Sequence, residues 1–195
     1  MSLRIRDKWR QDGKTASLED SATAAAYASW QIALAATKNL HAEDFEYYDD
    51  HQRLGVLREY LIFLSHIADR LAFEHMESSE RERFVTSFVK ESARELQRNA
   101  EEILGSRNYR IQLIELLTTR NQDYSQYPAD KGHPGYGLLR SFGENVQQWM
   151  GSDQTNRWVI DQVIEIDGPE AVIALKRAID NLLESAKNNG PMLRP

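Results

Sequence analysis

The interior of the strongly apolar segment at residues 51–76 carries charged and titratable side chains, among them Arg58, Glu59, His66, Asp69 and Arg70. His66 precedes Asp69 by three positions and Arg70 by four, so these three side chains can meet across one turn of a helix. An imidazole that a carboxylate orients serves as a general base or supports a metal ligand. This spacing makes the segment our first candidate for a ligand-binding site.

The same residues also fit a purely structural network. Helical bundles often bury an Arg–Asp or Arg–Glu pair between helices, and a nearby histidine can simply satisfy that pair. Glu59, two turns before His66, can reach the same cavity from the other end. The sequence leaves two interpretations open, a salt-bridge network and a binding site.

The sequence contains only weak matches to the residue spacings of known metal sites. The Glu-x-x-His and His-Glu-x-x-His patterns are absent. The nearest matches are Asp130 with His133 and the reversed pairs His41 with Asp44 and His66 with Asp69. Cysteine is also absent, which excludes thiolate ligands, thiolate nucleophiles and disulfides. We therefore assign no catalytic residue and no metal ligand, and the identity of any cofactor stays open.

A second candidate for ligand binding lies in the segment between residues 121 and 137, which is rich in turn formers and has no helical periodicity. Long loops on rigid scaffolds are frequent binding elements, and aromatic rings with polar tips suit that role. The candidate residues here are Tyr124, Tyr127, His133 and Tyr136. An ordered crossover packed on the bundle is the structural alternative.

Hydrophobic periodicity predicts an all-α fold, a bundle of about four long helices plus two or three shorter helices towards the C-terminus. The long helices are expected at 17–40, 51–76, from Ser78 or Ser79 to Gly105, and at 111–121. The last helix is expected to open with Pro169 at its first position. We predict one helical domain over 17–188 (core bundle 17–121, irregular crossover 121–137, short helices 137–188), a basic N-terminal arm at 1–16 and a frayed tail at 189–195.

Composition limits the classes of function. The net charge of −6 disfavours binding to nucleic acid, and the acidic surroundings of the last helix argue against its reading DNA. No apolar run approaches the roughly 20 residues that cross a bilayer, so we expect no membrane insertion and a cytoplasmic location.

Taken together, these features favour a non-enzymatic bundle that binds a protein partner or a small ligand and associates with itself as a homodimer. The alternative is an enzyme or metal-binding bundle whose buried site on the second helix holds Glu59, His66, Asp69 and Arg70. The sequence does not decide whether the protein is an enzyme.

Overall fold

The computed structural model describes residues 17–130 and 133–188, so the predicted basic arm and frayed tail lie outside the described residues. The helices within them are α1 (Leu18–Ala42), α2 (Asp50–His75), α3 (Ser78–Leu104), α4 (Tyr109–Tyr124), α5 (Tyr136–Met150), α6 (Val159–Gln162) and α7 (Gly168–Asn188). A two-residue antiparallel pair, β1 (Ala129–Asp130) with β2 (His133–Pro134), separates α4 from α5. The predicted all-α helical bundle is confirmed.

Helix α1 begins where the sequence predicts. The hydroxyl of Ser17 accepts a hydrogen bond from the Asp20 amide, and the Asp20 carboxylate accepts one from the Ser17 amide in return. Its small residues, among them Ala22, Ala25 and Ala33, are fully buried and let α3 and α7 pack closely against it.

Helix α2 forms the centre of the bundle. Its apolar side chains point to all sides and most are fully buried, as expected for a helix that is hydrophobic around nearly its whole circumference. It contacts α1, α3, α4, α5 and α7. Glu59 and His66, in the middle of α2, therefore meet neighbouring helices instead of bulk water, whereas polar residues near its ends, such as Arg53 and Glu74, are exposed.

Two helix boundaries differ from the prediction. Helix α3 begins at Ser78 but its cap is Glu77, whose amide donates to the Glu80 carboxylate, so neither serine is the capping residue. Helix α4 is longer than predicted, because Asn108 caps it at the Ile111 amide and it continues to Tyr124. The irregular crossover is correspondingly shorter than 121–137.

Shorter helices follow the crossover, as predicted: α5 is separate, and a continuous helical path runs from Gln154 to the end of α7. A 3-10 turn (Gln154–Trp158) leads into α6, and a π-helical segment (Val163–Asp167) joins α6 to α7. Helix α7 begins at Gly168, one residue before the predicted first position at Pro169, and it continues directly from the π-helical segment. The Gly168 amide donates to the Val163 carbonyl five residues earlier, and this wider turn accommodates a proline that has no amide hydrogen to offer.

None of the helices in the described part of the chain is long and apolar enough to cross a membrane.

Candidate functional site

The carboxylate of Glu59 joins α2 to α4. Glu59 is fully buried, and Arg120 donates to it twice, from Nε to Oε2 and from Nη2 to Oε1, each at 3.1 Å. The Arg120 side chain is itself only 14% exposed. A buried carboxylate of this kind needs both opposite charge and hydrogen bonds, and Arg120 supplies both.

Trp149 of α5 adds a third bond to the same carboxylate, from its indole Nε1 to Oε1 at 3.2 Å. The indole ring lies against Gly55, where an added Cβ would stand 2.2 Å from two ring carbons. Arg58 stacks over the ring at 4.9 Å from its centroid. Helices α2, α4 and α5 thus converge on Glu59, and only a glycine at position 55 leaves room for the ring that helps to hold it.

His66 lies about two turns further along α2 and uses both ring nitrogens. Arg70 Nε donates to its Nε2 at 2.7 Å, and its Nδ1 lies 3.2 Å from the side-chain oxygen of Asn121. Because a guanidinium only donates, Nε2 must accept and Nδ1 must carry the proton. Burial and the neighbouring Arg70 charge lower the pKa of His66 to about 4, so the ring stays neutral at physiological pH.

Arg70 also caps the C-terminal end of α4. Its Nη2 donates to the carbonyl of Tyr124 at 3.1 Å and to that of Tyr127 at 2.6 Å. Those carbonyls belong to the last turn of α4 and to the turn after it, where backbone acceptors lack helical partners. The side chain that sequence reasoning assigned to a ligand site therefore satisfies backbone groups.

Asp69 does not join His66. Its two carboxylate oxygens accept from Nε and Nη2 of Arg81 on α3, at 2.7 and 2.6 Å. Glu59 likewise bonds to Arg120 and Trp149 and not to His66. The expectation that Glu59, His66, Asp69 and Arg70 share one cavity is thus replaced by three separate contacts that fasten α2 to its neighbours.

The tyrosines of the second candidate segment do not gather into one site. Tyr124 is fully buried and its hydroxyl accepts from Asn145 at 3.2 Å, whereas Tyr136 is 66% exposed. Tyr127 is half-buried, with its ring where a side chain on Gly137 would stand. His133 is exposed in β2.

We name the contacts of α2 with α4 and α5 the α2–α4 clamp, made of Glu59, Arg120, Trp149, His66 and Asn121. Sequence reasoning missed Arg120, Asn121 and Trp149, because they lie far along the chain and only the tertiary register brings them to α2. Within the described residues, no three His, Asp or Glu side chains are grouped so that they could hold a metal ion.

The geometry defines an all-α helical bundle in which Glu59, His66 and Asp69 of the central helix are each bonded to side chains of other residues. The chain has no match among protein-family models, curated proteins or solved structures.

Proposed function

We propose that this protein acts by association, and that the outer face of α4 pairs with α4 of a second copy of the chain. The observation that carries the proposal is that α4 is apolar on two opposite sides. Tyr109, Leu113 and Tyr124 are buried on its inner side, while Ile111 and Ile114 on its outer side are 49% and 42% exposed.

The outer residues follow the heptad spacing of a paired helix. Ile111, Ile114 and Thr118 recur at steps of three and four, the spacing of the two apolar positions in a heptad. The Thr118 hydroxyl donates to the Ile114 carbonyl at 2.9 Å, which satisfies that hydroxyl within the helix. The three residues form what we call the α4 seam.

Charge complementarity supports a second copy as the occupant. Arg110 and Glu115 flank the α4 seam on opposite sides, at the two heptad positions that pair across a parallel two-helix interface, five residues apart. Among the described residues, neither side chain takes part in a salt bridge within its own chain. A two-fold axis along α4 would pair each Arg110 with Glu115 of the other copy.

The α2–α4 clamp supports the same proposal from the inner side. Arg120 and Asn121 of α4 are held by charged and polar contacts with α2, from Glu59 and His66 respectively. Because its inner side is held in place, α4 presents its outer residues in a defined arrangement. This preorganisation limits the conformational entropy that is lost on association.

The test is sedimentation velocity of the full chain over a range of concentrations. We expect a reversible dimer, which Ile114→Glu weakens at least tenfold because it places a charge in the seam. The matched control is Ile173→Glu, which changes an isoleucine of similar exposure (51%) on α7 and should leave the dimer intact.

Charge reversal tests the orientation of the pair. Arg110→Glu should weaken the dimer, and adding Glu115→Arg to the same chain should restore it. A wild-type protein that stays monomeric at about 100 μM, or an equal loss of dimer in the Ile173→Glu control, would overturn the proposal.

A further inference from the structure

An open groove of about 450 Å³ lies at the end of the bundle where α1 and α3 begin and where α2 and α7 end. Its floor is apolar, because Leu18, Met76 and Leu183 are half-buried and pack against the edge of the core. The other described residues that line it are Ser21, His75, Glu80, Asp180 and Glu184. The groove thus combines an incompletely covered apolar floor with a rim of three carboxylates.

Neighbouring side chains neutralise the rim carboxylates only in part. Asp180 pairs with Lys176, one turn earlier on α7, at 3.6 Å. The Glu80 carboxylate accepts from the Glu77 amide at 3.3 Å, but that donor carries no charge. Within the described residues, Glu184 takes part in no salt bridge. The groove therefore favours an occupant that is both apolar and cationic.

The N-terminal arm (residues 1–16) has this composition, although the chain as a whole has a net charge of −6. Its basic residues outnumber its two acidic ones, Asp7 and Asp12. Basic and apolar residues alternate over most of the stretch from residue 3 to residue 10. The residues concerned are Leu3, Arg4, Ile5, Arg6, Lys8, Trp9 and Arg10.

The point of attachment brings the arm to the groove. Ser17, the next residue in the chain, caps α1, and Leu18 lines the groove. The stretch from Trp9 to Ser17 can span up to about 27 Å when extended, which is enough to reach the whole groove. A tethered segment has an effective concentration in the millimolar range, so even a weak interaction keeps the groove occupied.

From the apolar floor, the acidic rim and the point of attachment, we infer that the N-terminal arm docks into this groove of its own chain. The indole of Trp9 would cover the apolar floor, and Lys8 and Arg10 beside it would pair with the rim carboxylates. Another basic peptide could then enter the groove only by displacing the arm. None of the described lining residues belongs to α4, so this contact is independent of the proposed dimer.

Amide chemical shifts of the full chain test this contact. Trp9→Ser removes the indole and leaves every charge of the arm in place. We expect it to shift the amides of residues 18–21, 75–80 and 180–184 as well as those next to position 9. Shift differences confined to the neighbours of position 9 would overturn the inference. So would differences that grow between about 50 μM and 500 μM, because a second copy would then supply the groove.

Charge reversal at the rim tests the electrostatic part of the contact. In a Glu184→Lys background, the shift differences caused by Trp9→Ser should shrink about threefold or more, because a repulsive charge replaces an attractive one. The matched control is Glu102→Lys, which reverses an exposed glutamate about 33 Å along α3 from Glu80. The shift differences should keep their full size in that background. An equal reduction in both backgrounds, or none in either, contradicts docking at the acidic rim.

Discussion

Glu59 of α2 and Arg120 of α4 form a buried pair in which both carboxylate oxygens accept from one guanidinium, each at 3.1 Å. The two residues are 61 positions apart, so the pair fixes the tertiary register of α4 on α2. The Arg120 side chain is 14% exposed and the Glu59 side chain 0%, so both charges have lost most of their solvation. Burying either charge without the other would therefore be strongly unfavourable.

The first prediction concerns this pair. Glu59→Gln leaves the Arg120 charge buried without a counterion, so we expect the free energy of unfolding to fall by about 3–5 kcal/mol. Arg120→Met should cost a similar amount, and the double variant should cost less than the sum of the two by at least about 1 kcal/mol. Urea denaturation of the four proteins measures this coupling.

The control for that cycle is an exposed pair on α5. Arg140 and Glu144 lie 3.0 Å apart with side chains 59% and 48% exposed. Glu144→Gln should change the free energy of unfolding by less than about 1 kcal/mol. Additive effects of Glu59→Gln and Arg120→Met would mean that the buried pair does not hold α4 in place.

Gly55 gives the second prediction. Gly55→Ala places a methyl group where the ring of Trp149 now lies, and the ring must move away from Glu59. We expect a loss of about 1–3 kcal/mol, whereas alanine in place of glycine inside a helix ordinarily stabilises it. Gly135→Ala is a control for steric overlap alone: Gly135 is the N-cap of α5, and the nearest neighbour of an added Cβ would be a carbonyl oxygen at 3.6 Å, an ordinary contact.

The third prediction concerns the π-helical segment. Gly168→Ala brings a methyl group within 2.6 Å of the Val163 carbonyl oxygen and 2.8 Å of Leu139, so the wide turn must distort. We expect the melting temperature to fall, by the equivalent of about 1–3 kcal/mol. A rise in the melting temperature would show that the turn relaxes to a regular helix at no cost.

The apolar pattern of the sequence was sufficient to predict the bundle and the burial around Glu59 and His66. Helix propensity and capping act over a few residues, so Ser17 and Gly105 could be recognised from their neighbours alone. The hydrogen-bond partners of the buried polar residues could not be predicted from the sequence. Arg120 bonds to Glu59 because of how α4 crosses α2, and no local spacing in the sequence encodes that crossing.

The partner of Asp69 shows why spacing alone misleads. The three-residue step to His66 permits a contact, but Arg81 offers a permanent charge and two parallel N–H donors, at 2.7 and 2.6 Å. A neutral imidazole that already accepts from Arg70 cannot compete with a guanidinium for the carboxylate.

The last prediction is a pH dependence of stability due to His66. Burial and the Arg70 charge lower the pKa of its ring to about 4 in the folded chain, against 6.5 for the unfolded side chain. Between these two pKa values, His66 binds a proton in the unfolded state but not in the folded state. The free energy of unfolding therefore decreases as the pH falls from 6.5 towards 4. A proton on Nε2 would also face the Nε–H of Arg70, which now donates to that atom at 2.7 Å.

Comparison with His66→Gln isolates this effect, because glutamine keeps polar groups at the position and does not titrate. Between about pH 7 and pH 4.5, the wild type should lose about 2 kcal/mol more stability than the variant, as measured by urea denaturation at each pH. Asp167 and the other carboxyl groups titrate in both proteins, so their contributions cancel in the difference. Parallel pH profiles for the two proteins would mean that the pKa of His66 is the same in the folded and unfolded chain. That result would contradict the burial of His66 and its bonds to Arg70 and Asn121.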